Sequence, residues 1–304
     1  MSSLYALKNI QPNINKLEDD RFSRAEISLS MLRLDEIHPV VSGNKIFKLY
    51  YFLKEAASSA HKTIVTFGGA YSNHLAAAAF ACKKEGIRCF GIVRGEKPNS
   101  LSHTLLFCLQ NGMQLEFISR AEYDKIDSEE FCNGLTEKYG DHTMIPEGGF
   151  SLKGVKGAGE INHLFAGQNY SHICCPAGTA TTFAGLINGA GANCEVIGFS
   201  ALRNMKDIGQ RLKKLKAAAD KKYTFNENYH FGGYAKKTPE LIAFMNSFFE
   251  SNKIPLDFVY TGKMMFGVND LINKNYFNPG SNILCIHTGG LQGNRSLPEG
   301  MLNF

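Results

Sequence analysis

The side chains that could do chemistry in this chain gather at a few glycine-rich points. Ser42-Gly43-Asn44-Lys45-Ile46-Phe47-Lys48 carries two amines three residues apart. A lysine amine on its flexible stem forms a Schiff base with an aldehyde when it is held near one and is deprotonated. Taken alone, the stretch reads as two surface lysines at a helix start, with Asn44 as N-cap. Gly68-Gly69-Ala70-Tyr71-Ser72-Asn73-His74 stands between an apolar run and an alanine-rich one. Hydroxyl, amide and backbone N–H groups at such a strand-to-helix turn suit an anion such as a carboxylate. Ordinary N-capping by Ser72 or Asn73 is the plainer reading. Gly178-Thr179-Ala180-Thr181-Thr182 is a second such turn, where small residues let backbone approach a phosphate and three hydroxyls add donors. It is not a Walker loop, because no Gly-Lys-Ser/Thr follows, and no Gly-x-Gly-x-x-Gly supports a dinucleotide-binding oxidoreductase. Tyr234, Tyr260 and the end of Ile286-His287-Thr288-Gly289-Gly290 complete the set. Each has an ordinary packing or turn explanation by itself.

These points must be positioned by regular elements, and the pattern alternates strand and helix. Residues 63–67 are β-branched, 73–84 are alanine-rich and close at Gly86, and 88–93 read as the next strand. That is a βαβ unit. A helix near 102–109 and a strand at 114–118 follow. Strand 173–175, helix 183–190 and strand 195–199 repeat the pattern, and 283–287 is a late strand. The alternation predicts parallel sheets with helices on both faces, an α/β fold. The glycine-rich stretch 147–159 reads as a crossover between two lobes. The expected division is a smaller lobe at 49–153 and a larger one made of 1–48 and 154–304. The Lys-rich run 211–222 reads as the polar face of an exposed helix.

Composition narrows the class. With 44% hydrophobic and 20% charged residues, the 304-residue chain is not disordered. Thirty glycines make about 10%, above the usual ~7%. The net charge of +5 lacks a concentrated basic stripe, which argues against nucleic acid as a partner and suits small anionic ligands. Eight cysteines include no Cys-x-x-Cys pair and match no zinc spacing, so buried free thiols and no metal site are expected. Residues 1–16 lack a long apolar segment, and no run of 18 apolar residues occurs. A reducing, cytoplasmic setting without membrane attachment is therefore expected.

Gly43-Asn44-Lys45 with Lys48-Leu49, and Gly68-Gly69 with Ser72-Asn73, in this order, resemble one family. It is the tryptophan synthase β-like group of pyridoxal-phosphate (PLP) enzymes, fold type II. Within it the chain is similar to the D-cysteine desulfhydrase/1-aminocyclopropane-1-carboxylate (ACC) deaminase branch, from about Arg33 to Gly293. The resemblance implies two three-layer α/β/α lobes with mostly parallel sheets, a homodimer, PLP as cofactor and a small amino acid as substrate. It implies that Lys45 holds the cofactor as a Schiff base and later moves protons. Asn73 would bond the 3′-oxygen of the ring. Ser72, with backbone near His74, would receive the substrate carboxylate and assist catalysis. Gly178, Thr179, Ala180, Thr181 and Thr182 would cradle the phosphate. Tyr260 and Tyr234 would be the catalytic aromatic ring and its substrate-side partner, and Thr288 would face the pyridine nitrogen. The deaminases carry Glu directly after the tyrosine that Tyr260 matches, and Leu where this chain has Thr288. Thr261 and Thr288 are both uncharged, so the resemblance points to the desulfhydrase type, with ACC deaminase, another D-amino acid, or a cofactor-binding member without turnover as alternatives. Ala180 and Thr181 stand where glycines are common in the family.

Overall fold

In the computed structural model, residues 10–304 are described. The expectation about the chain start falls outside them as far as residue 9. In chain order the strands are β1 (Ile14–Leu17), β2 (Ser28–Arg33), β3 (Thr63–Gly68), β4 (Arg88–Arg94), β5 (Met113–Ile118), β6 (Thr143–Ile145), β7 (His172–Ala177), β8 (Glu195–Ser200), β9 (Tyr223–Asn226) and β10 (Asn282–His287). The helices are α1 (Asp20–Arg24), α2 (Asn44–Ser58), α3 (Asn73–Glu85), α4 (His103–Gln110), α5 (Arg120–Tyr123), α6 (Glu129–Tyr139), α7 (Leu152–Gly159), α8 (Thr181–Gly189), α9 (Ile208–Lys214), α10 (Pro239–Asn252) and α11 (Thr261–Asn273).

The strands form two sheets, in the orders β1-β2-β10-β7-β8-β9 and β5-β4-β3-β6. Among the described residues only the β1–β2 pair is antiparallel. Parallel strands buried on both faces read as continuous apolar runs, and β3 is buried at every residue. The expected α/β architecture with mostly parallel sheets is therefore present. Dividing the chain at 48/49 and 153/154 would cut α2 and α7, which run unbroken through those positions. Among the described residues no helix is long and apolar enough to cross a membrane, and no group of three or more His, Cys, Asp and Glu side chains could hold a metal ion. All eight cysteines are unpaired, and all but Cys132 are buried.

Three local expectations change. Asn44 does not cap α2; Gly43 is the N-cap, with φ +68°, and Asn44 is the first helical residue. Helix α8 begins two residues earlier than expected because Ala180 takes the left-handed conformation, φ +69°, and lets Thr181 start the helix. The basic run is helical only as far as Lys214. Lys216 turns left-handed at φ +50°, and the rest leads into β9.

The glycine-rich crossover is more ordered than its composition suggests. After a turn at Glu147–Gly149 it forms α7, which packs between α2 and α8. A Cβ on Gly157 would stand 2.0 Å from the Phe47 carbonyl oxygen, so the glycine is what lets α7 lie against the backbone of α2. Gly157→Ala is expected to lower stability by about 2–3 kcal/mol through overpacking. Urea unfolding should show a lower midpoint at unchanged slope.

Candidate active site

The site lies where the carboxyl ends of β3, β7 and β10 meet the start of α2, the usual ligand position in open parallel sheets. Lys45 sits in the first turn of α2, and that turn is tied down on three sides. Gly43 N–H donates to the Leu34 carbonyl at 2.7 Å, and Asn44 N–H donates to the Thr288 carbonyl at 3.2 Å. Asn44 Nδ2 donates to Thr182 Oγ1 at 2.8 Å, which joins α2 to the start of α8. The approach at Gly43 is so close that a Cβ there would stand 1.9 Å from the Thr288 carbonyl oxygen.

The Lys45 amine lies 5.7 Å from the centroid of the Tyr260 ring. Burial lowers it from 10.5 to about 8, with Asp257 pulling the other way. Lys48, one helical turn on, is 6% exposed. Burial and then the nearby Lys45 charge bring it down to about 7. A Cβ on Gly149 would be 3.3 Å from Lys48 Cε, so Lys48 runs beneath the turn that leads into α7.

Ser72 caps α3, its Oγ accepting from Leu75 N–H at 3.2 Å. Asn73 opens that helix, and its buried Oδ1 has no partner within the described residues. His74 turns inward. Thr66 Oγ1 donates to the Ile145 carbonyl, so it accepts from His74 Nε2–H at 2.8 Å. That tautomer leaves Nδ1 an unpartnered acceptor. Burial, then Lys48 and Lys45, hold the ring neutral, lowered to about 3. His74 therefore offers the site its backbone, while its imidazole is part of the packing beneath.

After β7, Gly178 lies against the Tyr260 ring, where a Cβ would be 3.2 Å from Cε1. Thr179 and Thr181 share a hydroxyl hydrogen bond of 2.9 Å, and Thr182 receives Asn44. The backbone N–H groups that open α8 remain directed to this turn, the arrangement that binds phosphate. Ala180 is 2% exposed and holds a conformation that disfavours any Cβ by about 1 kcal/mol, strain of the kind stored at ligand clamps.

Tyr260 caps α11, and its ring meets that of Tyr234 edge-on, with centroids 6.1 Å apart. Burial and then Tyr234 keep the Tyr260 phenol protonated. Thr288 is 3% exposed at the end of β10. His287 is fully buried. Its Nε2 donates to the Pro255 carbonyl at 2.8 Å and its Nδ1 lies 3.2 Å from Asp35, so it is a packing residue.

Sequence reasoning did not single out Asp257, which is fully buried. It accepts from the backbone N–H groups of Val259, Tyr260 and Thr261 and from Thr261 Oγ1, all at 2.7–3.0 Å. A Cβ on Gly290 would lie 3.3 Å from both Asp257 Cγ and Asn73 Nδ2, so this carboxylate borders the site. An Asp four residues before a helix start was the available signal.

These residues fit PLP: a desolvated amine for the aldehyde, an unpartnered amide beside it, and a backbone cradle for the phosphate. The neutral amine attacks an aldehyde. At about 8, roughly a tenth is neutral at pH 7, against about one part in three thousand for an exposed lysine. Uptake of PLP by apoprotein is expected to accelerate as pH rises and to level off just above 8. A rate still climbing at pH 10 contradicts the desolvated amine.

Comparison with known proteins agrees with this geometry. The model of the family described as pyridoxal-phosphate dependent enzyme matches residues 20–289. A Pyrococcus abyssi protein provisionally named 1-aminocyclopropane-1-carboxylate deaminase is 31% identical over 287 residues, covering 87% of this chain and 84% of its own. An Arabidopsis thaliana protein named bifunctional D-cysteine desulfhydrase/1-aminocyclopropane-1-carboxylate deaminase is 31% identical over 280 residues, covering 83% and 70%. A crystal structure described as an ACC deaminase homologue superposes with a TM-score of 0.79 at 27% identity, over 97% of each chain. Serine racemase from Dictyostelium discoideum, at 15% identity and a TM-score of 0.67 over 95% and 99%, shares the fold. The chain belongs to the pyridoxal-phosphate dependent enzymes of fold type II, with relatives named for ACC deamination and D-cysteine desulfhydration.

Proposed function

We propose that this enzyme is a D-cysteine desulfhydrase: D-cysteine and water give pyruvate, hydrogen sulfide and ammonia by α,β-elimination. Bound PLP supplies the electron sink that takes up the pair released at the α-carbon. Lys45 would hold it, with Asn73 at the 3′-oxygen, residues 178–182 at the phosphate and Thr288 at the ring nitrogen. Released as a neutral amine, Lys45 takes the α-proton; burial supports that role because it favours the uncharged form. Ser72 and the backbone of Asn73 and His74 orient the substrate carboxylate at the start of α3. Tyr260, kept protonated, is available to donate to the departing sulfur.

The observation that carries this reading over ACC deamination is that hydroxyl residues, Thr261 and Thr288, stand at the two positions that distinguish the deaminases. Directly after Tyr260 stands Thr261, whose hydroxyl donates to Asp257 and accepts from Asp257 N–H. The Asp257 carboxylate is itself engaged by four donors that open α11. A carboxylate beside the ring nitrogen would strengthen the sink for a substrate without an α-proton. A hydroxyl suffices when thiolate leaves. The names of the relatives favour ACC deamination as the second reading.

Purified holoenzyme is expected to show the near-visible absorption band of lysine-bound PLP and to release sulfide and pyruvate from D-cysteine. Lys45→Ala is expected to abolish both. 2-Oxobutyrate from ACC, with no sulfide from D-cysteine, establishes the second reading instead.

A further inference from the structure

Lys263 is a buried amine that the proposed chemistry does not use. It lies in the first turn of α11, is 1% exposed, and makes no ion pair among the described residues. Its Nζ donates to the Gly233 carbonyl at 2.7 Å. Gly233 immediately precedes Tyr234.

The segment that carries Tyr234 is costly to hold in shape. Phe231, Gly232, Gly233 and Ala235 all have left-handed φ values, of +50°, +90°, +116° and +53°. Two of these residues have a Cβ, which disfavours that region. Something must therefore over-determine the loop. Its own backbone gives little: Gly233 N–H donates to the His230 carbonyl, and Lys236 N–H donates to the Gly233 carbonyl. His230 Nδ1 accepts from Gly232 N–H at 2.9 Å, Arg203 lies against Gly233, and further support comes from one face of α11. Lys263 holds Gly233, Phe266 packs edge-on against Phe231 at 4.9 Å, and Asp270 accepts from the Tyr229 hydroxyl at 2.6 Å. Positions 263, 266 and 270 recur at helical spacing. The Lys263 contact is the one adjacent to Tyr234, and Tyr234 is itself 45% exposed beside Tyr260. The same helix carries Tyr260 as its N-cap.

We propose that Lys263 is a positioning residue for the substrate-side tyrosine: by binding the Gly233 carbonyl from within α11, it sets the Tyr234 ring against the Tyr260 ring that caps the same helix. A lysine donates in either protonation state, so the link holds across the working pH range. The functional consequence rests on the reading of Tyr234 as a substrate-side group.

The test uses holoenzyme carrying Lys263→Met, which keeps the apolar stem and removes the donor. Amide exchange over residues 231–236 is expected to quicken about tenfold, with α11 and β10 unchanged. The near-visible cofactor band is expected to stay as in the parent. KM for the substrate turned over, D-cysteine or ACC, is expected to rise about tenfold with a smaller change in kcat. In a Tyr234→Ala background, Lys263→Met is expected to add nothing to the KM effect, because both act through one ring. Exchange that quickens throughout α11 with KM unchanged, or additive KM effects in the double variant, overturns the assignment. Should Lys263→Met not fold, Lys263→Gln, with its donor on a shorter stem, is read by the same measurements. The exchange measurement needs no substrate. If neither D-cysteine nor ACC is turned over, the functional reading falls, while Lys263 is still judged on the loop.

Discussion

The site depends on one backbone contact. The carbonyl of Thr288, at the end of β10, lies against Gly43 at the start of α2, with no room for a Cβ between them. The contact sets where the first turn of α2 stands relative to the larger sheet, and Lys45 is in that turn. The hydrogen bonds from Gly43 to Leu34, from Asn44 to Thr288 and from Asn44 to Thr182 act at the same place. Together they join α2, β10 and α8, the three elements proposed to supply the amine, the residue at the ring nitrogen and the phosphate cradle. A reactive amine is useful only when its distance to a carbonyl is held within a fraction of an ångström.

Burial does the electrostatic work in the same volume. Lys45, Lys48 and Lys263 are all lowered toward neutrality by desolvation, and His74 is held uncharged. The nearby Asp257 is occupied by the N-terminus of α11, where a carboxylate meets both unpaired N–H groups and the positive end of the helix dipole. Its charge stabilises that helix start while Thr261 shields it on one side. The resulting environment favours the neutral form of the Lys45 amine, as the proposed function requires of a base.

Much of this was legible in the sequence. Ser72 was readable as a cap, Gly86 as a helix stop, and the strand-turn-helix alternation as a parallel α/β fold, because each depends on neighbours within a few residues. The Lys45, Asn73 and 178–182 cluster was readable through the resemblance. Asn44 was misjudged because its side chain answers to Thr182, 138 residues away. The stretch 147–159 reads only as a glycine-rich crossover because its glycines are counted locally, whereas Gly157 serves contact with α2. Asp257 and Lys263 gave no motif, since their significance lies in what surrounds them.

The sequence by itself determined the alternation of strands and helices and the family, and it named the candidate amine, since periodicity, capping and a spaced motif are properties of order along the chain. The tertiary structure alone decided that burial lowers the Lys45 amine, that Asp257 is already engaged, and that α11 carries Tyr260 at its start and binds the Gly233 carbonyl. Desolvation and hydrogen-bond saturation are set by atoms distant in sequence and close in space, and no local pattern encodes them.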